Sequence, residues 1–197
     1  MERNYHCFYH LLKGASNELL EKLLLMKSEN TRMTKDDFEY LKKGNDDIPL
    51  QFVNDVTLYE ELVESFKKLK FTDEEILTIW KIISAILHLG NAEIDSSTYD
   101  EYKIKPCSIK NKESLNKVSK LLGCNPEQLE YEIVYRGKIL DADRVPCPQN
   151  EAMSQKDSLS KALYQNLFSW LVLKMNKTIL PGGGKIEIEK ILEVITD

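Results

Sequence analysis

Apolar residues recur at helical spacing through most of the chain, and the stretch that organises the rest is residues 72–91, TDEEILTIWKIISAILHLGN. Thr72 and Glu75 have the spacing of a capping box, which marks a helix start. Ile76, Ile79, Trp80, Ile83 and Leu87 then lie on one face, while Leu77, Ile82, Ala85 and Ile86 make the other faces apolar too. A helix apolar nearly all round must be buried. Asp73, Glu74, Glu75 and Lys81 argue against a membrane span, and Gly90-Asn91 is expected to end the helix in the left-handed conformation. The pattern predicts the central helix of a mainly α unit.

Further helices follow from the same periodicity. Residues 2–13 place Tyr5, Phe8, Tyr9 and Leu12 on one face, with Gly14 just past the end, and residues 17–26 turn Leu19, Leu20, Leu23 and Leu24 inward. Residues 57–69 carry Leu58, Leu62, Phe66 and Leu69, capped by Asp55 or Thr57. Leu115, Val118, Leu121 and Leu122 define a helix from Asn111 that Gly123 ends, and Asn125-Pro126 opens a short one. A second long helix, residues 154–176, is expected to face inward through Leu159, Leu163, Leu167, Trp170 and Leu171, flanked by Ala162, Phe168 and Val172. Trp80 and Trp170 are therefore both predicted to be buried.

Between the helices lie segments of other character. A loop starts at Gly44 and closes with Pro49. Residues 92–109 combine Ser96-Ser97-Thr98, Asp100-Glu101 and Pro106 with a basic second half (Lys103, Lys105, Lys110, Lys112); Tyr99, Tyr102 and Ile104 fit a short strand, and a charge cluster of this size reads first as a solvated loop. Residues 137–149, GKILDADRVPCPQ, are poor helix sequence with Ile139, Leu140, Val145 and Pro146 too apolar for a solvated linker. Two readings stand equal there: a protruding partner-binding hairpin, or side chains folded back on the body. Pro181 and the three glycines after it break the chain before residues 185–196, which read as a strand or a frayed helix.

Composition narrows the function. The 197 residues, 42% hydrophobic and 30% charged, suit a globular unit, and the net charge of −5 gives no basic footprint for nucleic acid. Cys7, Cys107, Cys124 and Cys147 have no metal-site spacing and fit reduced thiols in an intracellular protein. His6 and His10 stand four apart, as metal ligands on a helix do, but with no third ligand nearby they read as ordinary helix residues. No GxxxxGK[ST], GxGxxG, GxSxG or HExxH occurs, so the residues taken alone define a mainly helical interaction domain without a self-sufficient active site.

Four collinear stretches change that picture. ERNYHxFYxLL (residues 2–12), the 55–71 helix leading to LHLGN (residues 87–91), Leu121-Leu122-Gly123 with Leu129 downstream, and DSLSKALYxxLFxWLV (residues 157–172) together resemble the myosin motor head. In the last, serines stand where the family has small alanines, and Met1 replaces the glycine that usually precedes the first, which suggests a truncated gene product.

The resemblance implies a segment of the upper actin-binding subdomain, lying between the two nucleotide switches. Residues 1–180 would be that subdomain segment, a helical unit with long central helices, exposed loops and one or two short strands. Residues 181–197 would lead toward the second-switch strand, with Asp197 about where that switch's aspartate stands. Residues 137–149 match the family's cardiomyopathy loop, with Lys138, Asp141, Arg144 and Val145 as actin contacts. Asp141 occupies the position that elsewhere is phosphorylatable or permanently acidic. Residues 96–109 match loop four, whose Lys103 and Lys105 would meet acidic actin.

The implied parent is an ATP-driven, actin-activated motor of the cytoplasm and cytoskeleton, using ATP and Mg²⁺. Its partners here would be the actin filament and the remainder of the head, with neither nucleic acid nor membrane. The alternative is a non-motor helical interaction module on the same scaffold, and an independent hydrolase lacks any triad or metal set. Phosphate binding in this family needs a glycine-rich backbone cradle, its lysine and a hydroxyl for Mg²⁺. The isolated chain, having none, is predicted neither to turn over ATP nor to hold it tightly, and calorimetry detecting micromolar, Mg²⁺-dependent binding would contradict this.

Overall fold

The computed structural model describes residues 3–42, 54–100, 105–137 and 144–179. Tyr102 and Ile104 of the expected strand, the 44–49 loop, Ile139, Leu140 and residues 185–196 lie outside the described residues. The fold is mainly α, as the periodicity predicts. In chain order it runs α1 (His6–Gly14), α2 (Asn17–Lys22), β1 (Met26–Ser28), β2 (Thr31–Arg32), a 3-10 turn (Lys35–Asp37), α3 (Glu39–Lys42), α4 (Asp55–Lys68) and α5 (Asp73–Gly90). It continues with β3 (Ile94–Asp95), β4 (Ser108–Ile109), α6 (Lys112–Leu122), α7 (Pro126–Val134), β5 (Tyr135–Arg136), β6 (Val145–Pro146) and α8 (Gln149–Ile179). The strands form three antiparallel ribbons, β1 with β2, β3 with β4 and β5 with β6.

Helix α5 starts as its sequence dictates. Thr72 Oγ1 accepts the Glu75 N–H at 3.2 Å and Glu75 Oε2 accepts the Thr72 N–H at 2.8 Å. From Ile83 to Gly90 every residue is buried, because the helix divides two cores. On one side Ile76, Ile79, Trp80, Ile83 and Leu87 pack with Phe8, Tyr9, Leu11, Leu20, Leu41 and Phe66. On the other, Ala85 and Leu89 pack with Cys107, Ile109, Leu115, Val118, Leu129 and Ile133. Leu163 of α8 touches both, so α8 covers the seam.

Several helix ends differ from expectation, each for a local reason. Gly90 lies inside α5 and Asn91 is right-handed, at φ −80°, so this helix does not end in a left-handed residue. Glycine is needed at position 90 for close approach: a Cβ there would stand 2.6 Å from the Tyr40 ring. Gly14 is the last residue of α1, not the one beyond it, and that helix starts at His6. Helix α2 stops at Lys22 because Leu24 turns left-handed at φ 59°, with Leu25 N–H bonded to Leu20 O at 2.8 Å. Asn54, rather than Asp55 or Thr57, caps α4, accepting the Val56 N–H at 3.0 Å. Gly123 does end α6, in the left-handed conformation at φ 70°, and Asn125 caps α7 by accepting the Gln128 N–H at 2.9 Å.

Helix α8 is longer than predicted and its inner stripe is narrower. Leu167 is buried and Leu159, Leu163 and Leu171 pack against the cores, but Phe168 and Ala162 are exposed. Trp170, expected to be buried, is 39% exposed and meets only the edge of Phe71, at 5.8 Å between ring centres. The physical reason is angular. Trp170 stands three residues past the buried Leu167, but Lys174 four further on is drawn to Glu75, and this holds the Trp170 face at the margin of the core.

Trp80 is 1% exposed and is enclosed by Tyr59 and Phe66, at 5.4 and 6.4 Å between ring centres. Trp80→Ala should therefore cost about 3–5 kcal/mol through lost burial and the cavity left behind. Trp170→Ala should cost well under half as much, since much of its ring already faces solvent. Denaturant midpoints of the two variants check the order, and equal losses would contradict the burial difference.

Candidate functional site

The two segments that the resemblance assigns to the filament both pack against one short helix, α7: the first leads from α5 to α6 and is tied to Glu130, and the second continues from the C-terminal end of α7. The first is held at its root by the β3–β4 register, Ile94 opposite Ile109 and Asp95 opposite Ser108. Further out, Asp100 and Lys105 exchange backbone hydrogen bonds at 3.0 and 2.9 Å. Asp95 accepts the Ser97 N–H at 2.8 Å, an Asx turn, and Thr98 Oγ1 donates to Pro106 O at 2.9 Å. Glu130 of α7 fixes the exit strand, accepting the Ile109 N–H at 2.9 Å and pairing with Lys112.

The second segment continues from the C-terminal end of α7. Tyr135 pairs with Pro146 and Arg136 with Val145, and Cys147 N–H donates to Val134 O at 2.8 Å. Gly137 adopts φ +124°, a left-handed value that side chains resist, where the chain leaves the ribbon. Arg136 makes two bonds to Glu151 of α8, at 2.7 and 2.6 Å. Arg144 makes a fork to Glu132 of α7, at 2.8 and 2.7 Å. β5 and β6 pair as an antiparallel ribbon in which Val145 is exposed and Pro146 is buried, so the described residues share features of both readings of residues 137–149.

A cleft of about 500 Å³ lies between the two segments. Thr98, Lys105 and Ser108 line it from the first, Glu127 and Tyr131 from α7, and Tyr135 from the hairpin root. Of the residues predicted as contacts, Lys105 is exposed beside this cleft and Val145 is 45% exposed on the hairpin. Arg144 is different: its side chain is 8% exposed and committed to Glu132. Lys103, Lys138, Asp141 and Asp197 lie outside the described residues. Sequence reasoning missed Glu130, Glu132 and Tyr131, which mount the two segments; the only available signal was three charged or aromatic residues in succession on a helix otherwise apolar at Leu129, Ile133 and Val134.

The motif residues sit elsewhere and do structural chemistry. In LHLGN, Leu87 fills one core and Leu89 the other. His88 Nε2 donates to Leu24 O at 3.0 Å and Ser84 Oγ to Leu23 O at 2.6 Å, satisfying carbonyls where α2 ends. Asn91 accepts the Glu39 N–H at 2.9 Å and donates to Asp37 O at 2.6 Å, tying α3 and the turn before it to the end of α5. In the stretch resembling DALAK, Tyr40 Oη donates to Asp157 at 2.6 Å and lies 3.0 Å from Ser160 Oγ. Burial, with Asp157 as acceptor, pushes the Tyr40 phenol well above its ordinary range, so it stays a donor. Ser160, one of the two serines that replace alanine, is satisfied there and by Lys156 O at 3.2 Å.

In the ERNYH-like stretch, Arg3, His10 and Lys13 converge on the buried Asp55, at 3.1, 2.9 and 2.8 Å. Burial raises the Asp55 pKa, but bonds from Lys13, Arg3 and His10 outweigh it and leave the carboxyl below its ordinary range. Tyr5 stacks on Tyr164 at 4.2 Å, and His10 bonds Asp55 through Nδ1 while its ring meets the His6 ring edge-on at 6.0 Å between centres. Among the described residues no group of three or more His, Cys, Asp and Glu is placed to hold a metal. The four cysteines are free thiols, and among the described residues no helix is long and apolar enough to cross a membrane.

This is a helical unit whose conserved-looking motifs build the scaffold and whose loops carry the exposed chemistry. Residues 1–194 match the family described as myosin head (motor domain), and the chain belongs to that family. It is 36% identical over 180 residues to a Myosin-I heavy chain of Dictyostelium discoideum, which covers 90% of this chain and 7% of that protein. It is 35% identical to Myosin-52 of Schizosaccharomyces pombe, over 93% of this chain and 12% of the other. With Unconventional myosin ID of Drosophila melanogaster the identity is 33%, over 94% of this chain and 17% of the other. The chain thus spans less than a quarter of the length of these curated relatives.

His88 gives the scaffold a measurable signature. Burial, then the nearby Lys117, lowers its pKa from 6.5 to about 4, against smaller opposing effects of the Leu24 carbonyl and Glu113. A histidine harder to protonate when folded contributes stability that is full above pH 6.5 and is lost as pH falls toward about 4, by roughly 3 kcal/mol in all. His10, also lowered, acts in the same direction. His88→Gln keeps a donor for Leu24 and should flatten the decline in denaturation midpoint across that window, whereas an unchanged slope would mean that His88 is not held neutral.

Proposed function

We propose that this chain is a segment of the upper actin-binding subdomain of a myosin motor, and that residues 96–109 and 137–149 contact the actin filament. The observation that carries the reading is the cleft on α7, where Lys105 and Thr98 of one segment meet Tyr135 at the root of the other. On this reading the two stretches, separate in sequence, act as one contact surface across α7, a reading supported by the cleft that Lys105, Tyr131 and Tyr135 line. It combines exposed Lys105 with the aromatic Tyr131 and aliphatic Val145, the mixture of charge and apolar anchor that a filament contact uses. On this reading ATP and Mg²⁺ are bound by other parts of the motor, residues 181–197 lead to the second switch with Asp197 at its start, and the protein works on the cytoplasmic cytoskeleton.

On this reading Asp141, Lys138 and Lys103 are further charged contacts. Asp141 supplies a standing negative charge where a phosphate would add about −1.5 to −2. The competing account of Asp141 is that it opens a turn with Ala142 and Asp143 and touches nothing. Charge removal separates the two. In the full-length motor, Asp141→Asn should weaken actin affinity or activation more at low salt than at high salt, because exposed charges are screened. Asp143→Asn, two residues away, should do less. Cosedimentation with actin filaments across a salt series reads both, and equal, negligible effects would remove the actin role from Asp141.

A further inference from the structure

We propose that Arg144 is a positioning residue: it staples both ends of the loop at residues 138–143 to α7 and does not itself touch the filament. The proposal rests on the filament-contact reading of this hairpin. Its basis is the contrast between the two arginines that flank the loop. Arg136 is 53% exposed along its side chain, and its partner Glu151 is 39% exposed. A pair so open to water is weak and can trade partners when an acidic surface arrives. The Arg144 side chain is 8% exposed, and three of its contacts close off the guanidinium.

Those contacts go to two pieces of chain, α7 and the residue that follows β5. The fork to Glu132, at 2.8 and 2.7 Å, anchors Arg144 to α7. Arg144 Nη2 also donates to Gly137 O at 3.2 Å, so the residue that ends the loop holds the residue that begins it. The guanidinium lies 5.1 Å from the centre of the Tyr131 ring, which in turn stacks on Tyr135 at 4.4 Å. Gly137 is suited to this position because at φ +124° any side chain would be strained. A planar fork that also covers an aromatic face is a task lysine cannot perform. Gly137 and Arg144, the residues on either side of 138–143, are thus mounted together on α7, the same helix whose Glu130 holds the root of the neighbouring segment.

The two roles for Arg144 predict opposite signs for a change at its partner. Glu132→Gln leaves the loop and Arg144's charge untouched. If Arg144 is a staple, the variant loosens the loop and weakens actin binding by roughly 10-fold, with most of the loss persisting at high salt. If Arg144 is a filament contact, the same variant frees a cation and tightens binding at low salt. Arg144→Lys should weaken binding comparably, and the exchanged pair E132R/R144E should restore a large part of it. An Arg144 that touches the filament would not be rescued by moving its charge to position 132.

The experiment is actin cosedimentation with the full-length motor and these variants, together with amide hydrogen exchange of residues 137–145 measured without actin. The staple predicts faster exchange in that loop for Glu132→Gln with the melting midpoint nearly unchanged, and recovery of protection in the exchanged pair. Unchanged exchange, or tighter binding by Glu132→Gln, overturns the proposal. If the parent motor does not bind actin through this hairpin, Arg136→Gln and Asp141→Asn will bind like the unaltered protein. In that case the filament reading fails, while the exchange data alone still decide whether Arg144 is the staple.

Discussion

The whole arrangement depends on how a buried helix disposes of its terminal carbonyls. Every α-helix leaves its last C=O groups without partners inside the helix, and burying them unsatisfied is expensive. Here the C-terminal carbonyls of one helix are capped by side chains from the next one in the stack. Ser84 and His88, one turn apart on α5, reach Leu23 and Leu24 at the end of α2. Lys156 of α8, itself buried, donates to Gly90 and Ala92 at the end of α5, at 3.2 and 3.4 Å. At the other end of the same helix pair Lys174 meets Glu75, so α8 grips α5 at both termini and runs antiparallel to it. The relay α2 to α5 to α8 fixes the register of three helices that area burial alone would let slide.

That relay also explains why some of the fold was legible in the sequence and some was not. Capping boxes, proline at a helix start and glycine after a helix are local, and Thr72-Glu75, Asn125-Pro126 and Gly123 behave as written. Apolar periodicity located α5 because a helix between two cores must be apolar on two faces. It overstated α8, where Trp170 and Phe168 belong to the pattern but not to the interior. Nor does periodicity show a polar side chain recruited as a cap. Ser84 and Lys156 look like surface residues in a list, yet each is buried because a carbonyl from elsewhere in the chain, Leu23 or Gly90, needs it.

The candidate site was legible in the opposite way. Loop character, local charge and resemblance located residues 96–109 and 137–149, but the pairing beneath them could not be read. Arg144 and Glu132 are separated in sequence by the turn out of α7 and the hairpin tip, and nothing local says which arginine of the two will find that carboxylate. The resemblance implies an actin contact for Arg144 along with its neighbours. Geometry gives the exposed role to Arg136 and the interior role to Arg144, since only the latter stands over Tyr131 within reach of both Glu132 and Gly137.

The stretches that identify the family are therefore not the stretches that carry the exposed chemistry. LHLGN divides two cores, caps a helix, admits Tyr40 and ties down α3; the ERNYH-like stretch neutralises Asp55 and stacks Tyr5 on Tyr164. Each of these tasks fixes a residue type by geometry: a donor at the right reach, a missing Cβ, a ring of the right breadth. An exposed loop has no such constraint along most of its length and needs only a firm base. Glu130 and Glu132 of α7 supply that base by the same kind of fixed geometry, one accepting the Ile109 N–H and the other holding the Arg144 fork.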